Sequence, residues 1–281
     1  MSLGRQSVSL NRSAPVRRWA LRAAIAAGVL LATTGCQSNA FTRMGMLPPV
    51  TKQGKVTLTL WQGSWIAAWC VGIVVWGLII CAIIFFRKRG DRVPYQVRYN
   101  LPIEILYTVL PFVMVGVLFF FTARDENYID ALSAHPDVVV NVTGFQWSWE
   151  FQYPQYKVPR TEFGVVTELG QMWNGSIPGN ENQLPLLVIP TGETVRFNLT
   201  STDVIHAFWI VPFEFKRDVI PDHPNHFEVT PTQTGTFIGR CTELCGVYHS
   251  RMLFTVKIVT PAQFRQWIAT QQAQQTASGG A

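Results

Sequence analysis

Charged side chains are scarce in this sequence: they occupy 14% of its 281 positions, against about 25% in an average soluble domain. Acidic residues are nearly missing from residues 1–123, where there are 13 Lys and Arg but only 2 Asp and Glu, a net charge of +11. Residues 124–281 carry a net charge of −5. Because the basic residues flank apolar segments and the remainder is acidic, a nucleic-acid-binding domain is excluded, and the composition indicates a membrane protein.

Residues 1–35 are predicted to be a secretory signal peptide. Arginines precede the apolar run of residues 23–31, and small residues follow this run up to Cys36. The run is too short to span a bilayer. The segment resembles a bacterial lipoprotein signal, which implies lipidation of Cys36, although Thr33 stands where such signals usually have an aliphatic residue. Cleavage nearby without a lipid and an uncleaved anchor are the alternatives.

Two apolar runs predict a transmembrane hairpin over residues 64–123. Residues 65–86 are uncharged and number 22, whereas about 20 are needed to cross the hydrocarbon core. Residues 101–123 form the second run, which only Glu104 and two prolines interrupt. Aromatic side chains lie near the predicted ends of both runs, as they do at membrane interfaces.

The loop between the two runs, residues 87–100, carries five basic residues and one Asp. The positive-inside rule therefore places this loop in the cytoplasm and both ends of the chain, including residues 36–63, on the extracytoplasmic side. The signal peptide requires the same orientation. We thus expect a multi-pass protein of the bacterial cell membrane whose C-terminal domain faces an oxidising compartment.

Residues 124–260 predict an all-β domain, a sandwich or a barrel. Its expected strands are short, rich in Val, Ile, Thr and aromatic residues, and separated by turn residues. They are DVVVNVT, QWSWEFQ, LLVIP, ETVRFNLTS, VIHAFWIV, TGTFIGRC and MLFTVKIV. Residues 155–185 predict a long insertion without regular structure, and His223 and His226 predict a polar turn. Residues 261–281 predict a C-terminal helix that leads into a disordered tail.

The stretch CTELCGVYHSRM concentrates metal-binding residue types near the C-terminal end of this domain. Cys241 and Cys245 could form a disulfide in an oxidising compartment. His249 and Met252 follow closely, however, and His206 interrupts an apolar strand upstream. Thiolates, imidazoles and a thioether together favour copper over zinc. Two thiolates that bridge two copper ions, with one histidine on each ion, would use every one of these ligands.

This stretch resembles the dinuclear copper A motif of subunit II of haem–copper cytochrome c oxidases. DVIHAFWIVPF resembles the segment that carries the upstream histidine, GFQWSWEFQYP the aromatic stretch, and LPIEILYTVLP the second membrane helix of that family. The resemblance covers roughly residues 60–260. It implies a fold of two transmembrane helices followed by a cupredoxin-like Greek-key β-sandwich.

The resemblance also implies roles for individual residues. The implied copper ligands are Cys241, Cys245, His206, His249, the weakly bound Met252, and Glu243 through its backbone carbonyl. The Glu243 side chain would reach a magnesium ion shared with subunit I, and electrons would enter at Trp147, for which an ordinary sheet aromatic is the alternative. Glu104 matches a glutamate at the entrance of a proton pathway in subunit I; it could instead simply extend into water at the interface.

The implied function is that of subunit II of cytochrome c oxidase. Copper A would accept electrons from a cytochrome c and pass them to haem in subunit I, where oxygen is reduced to water and protons are pumped. Departures from the family pattern in FKRDVIPDHPNHF, the insertion and the implied lipid favour a membrane-bound cytochrome c of a bc-type complex, held in a supercomplex, as the donor. Subunits I and III and membrane lipid are the other expected partners. The alternative is a membrane-tethered copper carrier or sensor outside an oxidase.

Overall fold

The computed structural model describes residues 38–88, 90, 96–156, 166–168, 171–172 and 184–278. The chain forms two compact units, residues 1–45 and 46–281. Among the described residues of the first unit there is one short helix, α1 (Ser38–Thr42). The predicted signal peptide and Cys36 lie outside the described residues.

Two long apolar helices follow, α2 (Lys52–Phe85) and α3 (Leu101–Ile129). Both are long and apolar enough to cross a membrane, and their most apolar windows are not buried inside the protein. The two predicted apolar helices are thereby confirmed. Helix α2 begins well before residue 65 because Thr51 caps it: the Thr51 hydroxyl accepts the N–H of Gly54 at 2.9 Å.

The rest of the second unit is built around two β-sheets whose inner faces share one apolar core. The first sheet contains, in spatial order, β2 (Ser148–Gln152), β1 (Val138–Phe145), β6 (Val195–Ser201) and β9 (Asn225–Val229). The second contains β5 (Leu186–Pro190), β11 (Leu253–Val259), β10 (Gly235–Cys241), β7 (His206–Ile210) and β8 (Phe215–Val219). Neighbouring strands are antiparallel, except that β1 and β6 run parallel, as do β5 and β11. A membrane hairpin followed by a β-sandwich is the predicted fold class.

Aromatic rings fill the space between the sheets. Phe208 of β7 stacks on Phe254 of β11, with ring centroids 4.8 Å apart, and also contacts Phe197 of β6. All three are almost fully buried, and burial of each such side chain stabilises the fold by about 1.5–3 kcal/mol. Strand β1 alternates buried and partly buried residues along its length, as expected for a strand with one face on the core.

Five elements differ from the prediction. Strands β8 and β9 were not expected, because their charged and polar residues hide the alternation, and His226 therefore lies in a strand rather than in a turn. Within the predicted insertion, two short strands, β3 (Val166–Glu168) and β4 (Gln171–Met172), pair as a hairpin. Helix α4 (Pro261–Ser278) continues farther into the glutamine-rich end of the chain than its low complexity suggested.

The first turn of α2 is joined directly to the β domain. The N–H of Lys52 donates to the carbonyl of Thr230 at 3.0 Å, and the N–H of Thr230 donates to the side-chain oxygen of Gln53 at 3.0 Å. Gly54 packs so closely that a Cβ there would lie 2.7 Å from the carbonyl oxygen of Phe213. The membrane helix and the β-sandwich therefore meet through backbone contacts rather than a free linker.

Candidate metal centre

The loop between β10 and β11 carries the predicted ligand stretch. Cys241 is the last residue of β10, and Met252 immediately precedes β11. The N–H of Cys241 donates to the carbonyl of Met252 at 3.0 Å, which closes the loop at its base. The N–H of Thr242 donates to the carbonyl of Ala207 at 3.1 Å, which ties the same loop to the start of β7. His206 is the first residue of β7 and thus lies beside the loop.

These contacts bring sulfur and nitrogen atoms from both segments together. The two cysteine Sγ atoms lie 3.8 Å apart. The Nδ1 of His206 lies 3.8 Å from Sγ of Cys241, and the Nδ1 of His249 lies 3.5 Å from Sγ of Cys245. The Met252 Sδ lies 3.7 Å from Sγ of Cys245. Each thiol therefore has its own imidazole neighbour, and the thioether lies beside the second thiol.

The cluster is shielded from solvent. His206 and Met252 are completely buried, Cys241 and Cys245 nearly so, and His249 is half-buried. Both thiols are free, and their separation is far beyond the roughly 2.05 Å of a disulfide bond, so the predicted alternative of a disulfide is not formed in this structure. Ligand atoms of His206, Cys241 and Cys245 all lie within 4.8 Å of one another, close enough to share metal ions.

The electrostatics of the two thiols differ. Burial raises the pKa of Cys241, but the hydrogen bond with His206 and contacts with nearby backbone groups outweigh it and lower this pKa to about 7. Burial raises the pKa of Cys245, and the charge of the neighbouring Cys241 raises it further. Burial lowers the pKa of His206, yet contacts with Cys241 and Asp203 bring it above its ordinary value. One thiolate therefore forms far more readily than the other.

Glu243 contributes its backbone rather than its side chain to the cluster. Its carbonyl oxygen lies 3.2 Å from Sγ of Cys241, as a hydrogen-bond acceptor for the thiol. The residue itself is exposed. The backbone oxygen is thus the group of Glu243 that could reach a metal at the two sulfurs.

Gln146 and Trp147 contact the loop between β10 and β11, residues 242–252, which is called the ligand loop below. The indole Nε1 of Trp147 donates to the carbonyl of Cys245 at 3.2 Å, and the side-chain amide of Gln146 donates to the same oxygen at 2.6 Å. Trp147 is half-buried and packs edge-on against Tyr248, with ring centroids 5.0 Å apart. Trp149, two residues later, is completely buried in the core.

Two residues that contact the cluster are not among the predicted ligands, Asp203 and Gln146. Asp203 lies 2.9 Å from Nε2 of His206 through Oδ1, and its Oδ2 accepts the N–H of Gln146 at 2.6 Å. The contact between Asp203 and His206 could have been predicted from the sequence, because Asp203 lies only three residues before this histidine. Nothing in the sequence indicated Gln146, because its partners are distant along the chain.

Glu104 lies apart from the cluster, in the first turn of α3, at the end of this 29-residue helix that is remote from β1. Its side chain accepts the N–H of Asn100 at 2.9 Å, while the side chain of Asn100 caps the helix through the N–H of Ile103. This reciprocal arrangement is similar to a capping box, with Glu104 one position beyond the usual third helical residue.

Comparison with known proteins shows which protein family the chain resembles. The family model for the periplasmic domain of cytochrome c oxidase subunit II matches residues 138–259. A probable cytochrome c oxidase subunit 2 of Streptomyces avermitilis is 49% identical over 275 residues, which cover 90% of this chain and 86% of the relative. The cytochrome c oxidase subunit 2 of Mycobacterium tuberculosis strain H37Rv is 32% identical over 296 residues, which cover 90% of this chain and 81% of the relative.

Among solved structures, the chain is similar to the periplasmic domain of subunit II of cytochrome oxidase from Bradyrhizobium japonicum. The sequence identity is 27% and the TM-score 0.41, and the match covers 51% of this chain and 99% of that one.

Proposed function

The chain belongs to the cytochrome c oxidase subunit II family, and on that premise we propose that its buried cluster of sulfur and nitrogen atoms is a copper A centre. Membership makes the chain a membrane protein with an extracytoplasmic domain that assembles with subunit I of the oxidase. When bound, a pair of copper ions would supply a one-electron relay between a cytochrome c and the haem of subunit I.

The single observation that carries the proposal is the paired arrangement of thiols and imidazoles. The sulfurs of Cys241 and Cys245 lie 3.8 Å apart, and each has one histidine Nδ1 within 3.8 Å of it. We assign the thiolates of Cys241 and Cys245 and the imidazoles of His206 and His249 as the groups that would hold the two ions. Met252 and the Glu243 carbonyl would be weaker ligands. Soft thiolate and thioether donors, all buried, fit copper.

The protein groups around the ligands have separable tasks. Strands β7 and β10, paired through Cys241 and Phe208, fix the backbone from which two ligands project. Because the sulfurs are nearly inaccessible to solvent, water is kept away from the ligands. A rigid, dry site limits rearrangement when its charge changes. We assign Trp147 as the residue at which electrons enter. Its indole is partly exposed to solvent and donates a hydrogen bond to the carbonyl of Cys245.

The remaining assignments concern groups outside the cluster. We propose that the exposed Glu243 carboxylate contributes to a magnesium site shared with subunit I, and that Glu104 lies at a proton pathway of subunit I. A lipid on Cys36, subunit III, and a membrane-bound cytochrome c as donor in a supercomplex complete the proposal. A soluble cytochrome c that reduces the purified oxidase at the full physiological rate would argue against this donor.

The decisive test is purification of the complex with its partner subunits, followed by copper analysis and optical and paramagnetic spectroscopy. We expect copper in this chain and a signal from an electron shared by two ions. Cys245→Ser should remove both, whereas Cys70→Ser, at an exposed position in α2, should remove neither. A disulfide between Cys241 and Cys245, with no copper in a correctly assembled complex, would refute the proposal. Purification without haem would favour a copper carrier or sensor.

A further inference from the structure

Gln146 contacts both sides of the ligand cluster from the turn between β1 and β2. Its backbone N–H donates to Oδ2 of Asp203 at 2.6 Å, and its side-chain Nε2 donates to the carbonyl oxygen of Cys245 at 2.6 Å. The two partners lie 57 and 99 positions away along the chain, Asp203 in the connection between β6 and β7 and Cys245 in the loop between β10 and β11. Gln146 therefore links Asp203, the neighbour of His206, to Cys245 in the ligand loop.

On one side, Asp203 orients His206. Its Oδ1 lies 2.9 Å from Nε2 of His206 and accepts the N–H of Val204 at 2.6 Å. A carboxylate at Nε2 favours the tautomer that carries its proton there, which leaves the Nδ1 lone pair directed towards Cys241. The backbone N–H of Gln146 holds the other carboxylate oxygen, so the orientation of Asp203 is fixed from two directions.

On the other side, the ligand loop lies directly against residues 146–147. Gly246 has a φ of +121°, and a Cβ at this position would lie 3.2 Å from the Gln146 Nε2 and 3.1 Å from the Trp147 ring. The loop therefore approaches Gln146 as closely as a glycine permits. The amide hydrogen bond fixes the carbonyl of Cys245, and with it the backbone from which the Cys245 thiol projects.

We propose that Gln146 is a positioning residue, whose side chain holds Cys245 in register with the Asp203–His206 pair. The inference rests on the proposed copper A function and deepens it. The positive end of the Gln146 amide dipole points at the ligand loop, and this stabilises the more negative, reduced form of the site. Loss of the Gln146 amide donor should therefore lower the reduction potential of the copper centre and speed the dissociation of copper.

The test uses the purified oxidase complex with Gln146→Met, which keeps the length of the side chain but removes its donor, and Gln146→Glu, which keeps the size but presents acceptor oxygens. For both we expect a changed paramagnetic spectrum, a lower reduction potential of the copper centre, and copper loss to a chelator that is faster by about 10- to 100-fold. The potential should fall further for Gln146→Glu because of its negative charge.

Gln155→Met is the matched control, since this exposed glutamine lies in the short 3-10 helix Pro154–Tyr156 after β2, where its side chain accepts the N–H of Val139 at 2.9 Å. It should leave the spectrum, potential and copper retention as in the parent. A parent complex without the copper A spectrum would refute the proposed function itself. A parent with that spectrum and a Gln146 variant with parental spectrum, potential and copper retention would overturn this inference alone. If Gln146→Met does not assemble, Gln146→Glu decides by the same measurements.

Discussion

The indole Nε1 of Trp147 donates a hydrogen bond to the backbone carbonyl of Cys245, 3.2 Å away. The indole is half-buried, whereas the Cys245 thiol is nearly inaccessible to solvent. The Trp147 ring also packs edge-on against Tyr248, which keeps its plane fixed. A partner that touches the indole would thus be one hydrogen bond away from a residue of the ligand cluster, with no mobile side chain between them.

This relationship makes the indole N–H testable by itself. Trp147→Phe keeps an aromatic ring but removes the donor, so we expect reduction of the assembled oxidase by its membrane-bound cytochrome c to slow by about tenfold or more, a change of about 1.4 kcal/mol in the barrier. Copper content should be unchanged. Trp209→Phe is the control, because Trp209 lies on a sheet face beside Arg240 and does not contact the cluster. Equal rates for the parent and Trp147→Phe would contradict the assignment.

The two thiols should also react differently in the metal-free chain. The pKa of Cys241 is lowered to about 7, so its thiolate forms as the pH rises through 7, whereas the raised pKa of Cys245 keeps that thiol protonated. Alkylation followed by mass spectrometry between pH 6 and pH 9 should therefore label Cys241 first, with a rate that rises around pH 7. In His206→Phe, which lacks the hydrogen-bond partner, the rise should move to higher pH. Preferential labelling of Cys245 would show the assignment to be reversed.

Much of this molecule can be predicted from local patterns. The membrane helices follow from uncharged length, and strand β5 falls on the apolar segment LLVIP without a shift. Strands β8 and β9 do not follow, because FKRDV and NHFEV mix charges with apolar residues and become strands through pairing with β7 and β6. Tertiary pairing here overrides weak local preference.

The site divides in the same way. The spacing within CTELCGVYHSRM and the isolated His206 identify the ligand residue types, since these are chemically distinctive. Gln146 cannot be identified like this, because a glutamine in a turn has no distinctive chemistry until the fold brings it to Cys245, 99 positions away. Supporting hydrogen bonds between distant segments depend on the packing of the two sheets, which no local pattern contains.

The joint between α2 and the β domain predicts a strong effect of a small substitution. Gly54→Ala would place its Cβ 2.7 Å from the Phe213 carbonyl oxygen and 3.0 Å from the Thr51 hydroxyl, so backbone must move. We expect the protein to be destabilised by about 1–3 kcal/mol, measured by thermal unfolding of the full chain in detergent. Gly72→Ala, in the same helix with nothing within 4 Å of the added Cβ, should be neutral. Equal unfolding temperatures for the two variants would show that the backbone around Gly54 can move without loss of stability.

Tyr153 closes the open edge of the second sheet, where β5 is the outermost strand. Its hydroxyl donates to the carbonyl of Val188 at 2.8 Å and accepts the N–H of the same residue at 2.9 Å, which pairs two buried backbone groups that β11 does not reach. Tyr153→Phe leaves both groups unpaired, so we expect a loss of about 1–3 kcal/mol in the free energy of unfolding. Tyr128→Phe, at an exposed position, should cause little loss.

The same substitution has a pH signature that separates it from a general packing defect. Burial raises the pKa of Tyr153 above its ordinary value of 10, so above pH 10 this tyrosine ionises in the unfolded chain but stays neutral in the folded one. The folded state then binds more protons than the unfolded state, and the stability that the tyrosine contributes declines as the pH rises. The difference in unfolding free energy between the parent and Tyr153→Phe should therefore shrink above pH 10. A difference that stays constant from pH 8 to pH 11 in chemical denaturation would show that burial does not keep the Tyr153 hydroxyl neutral in the folded state.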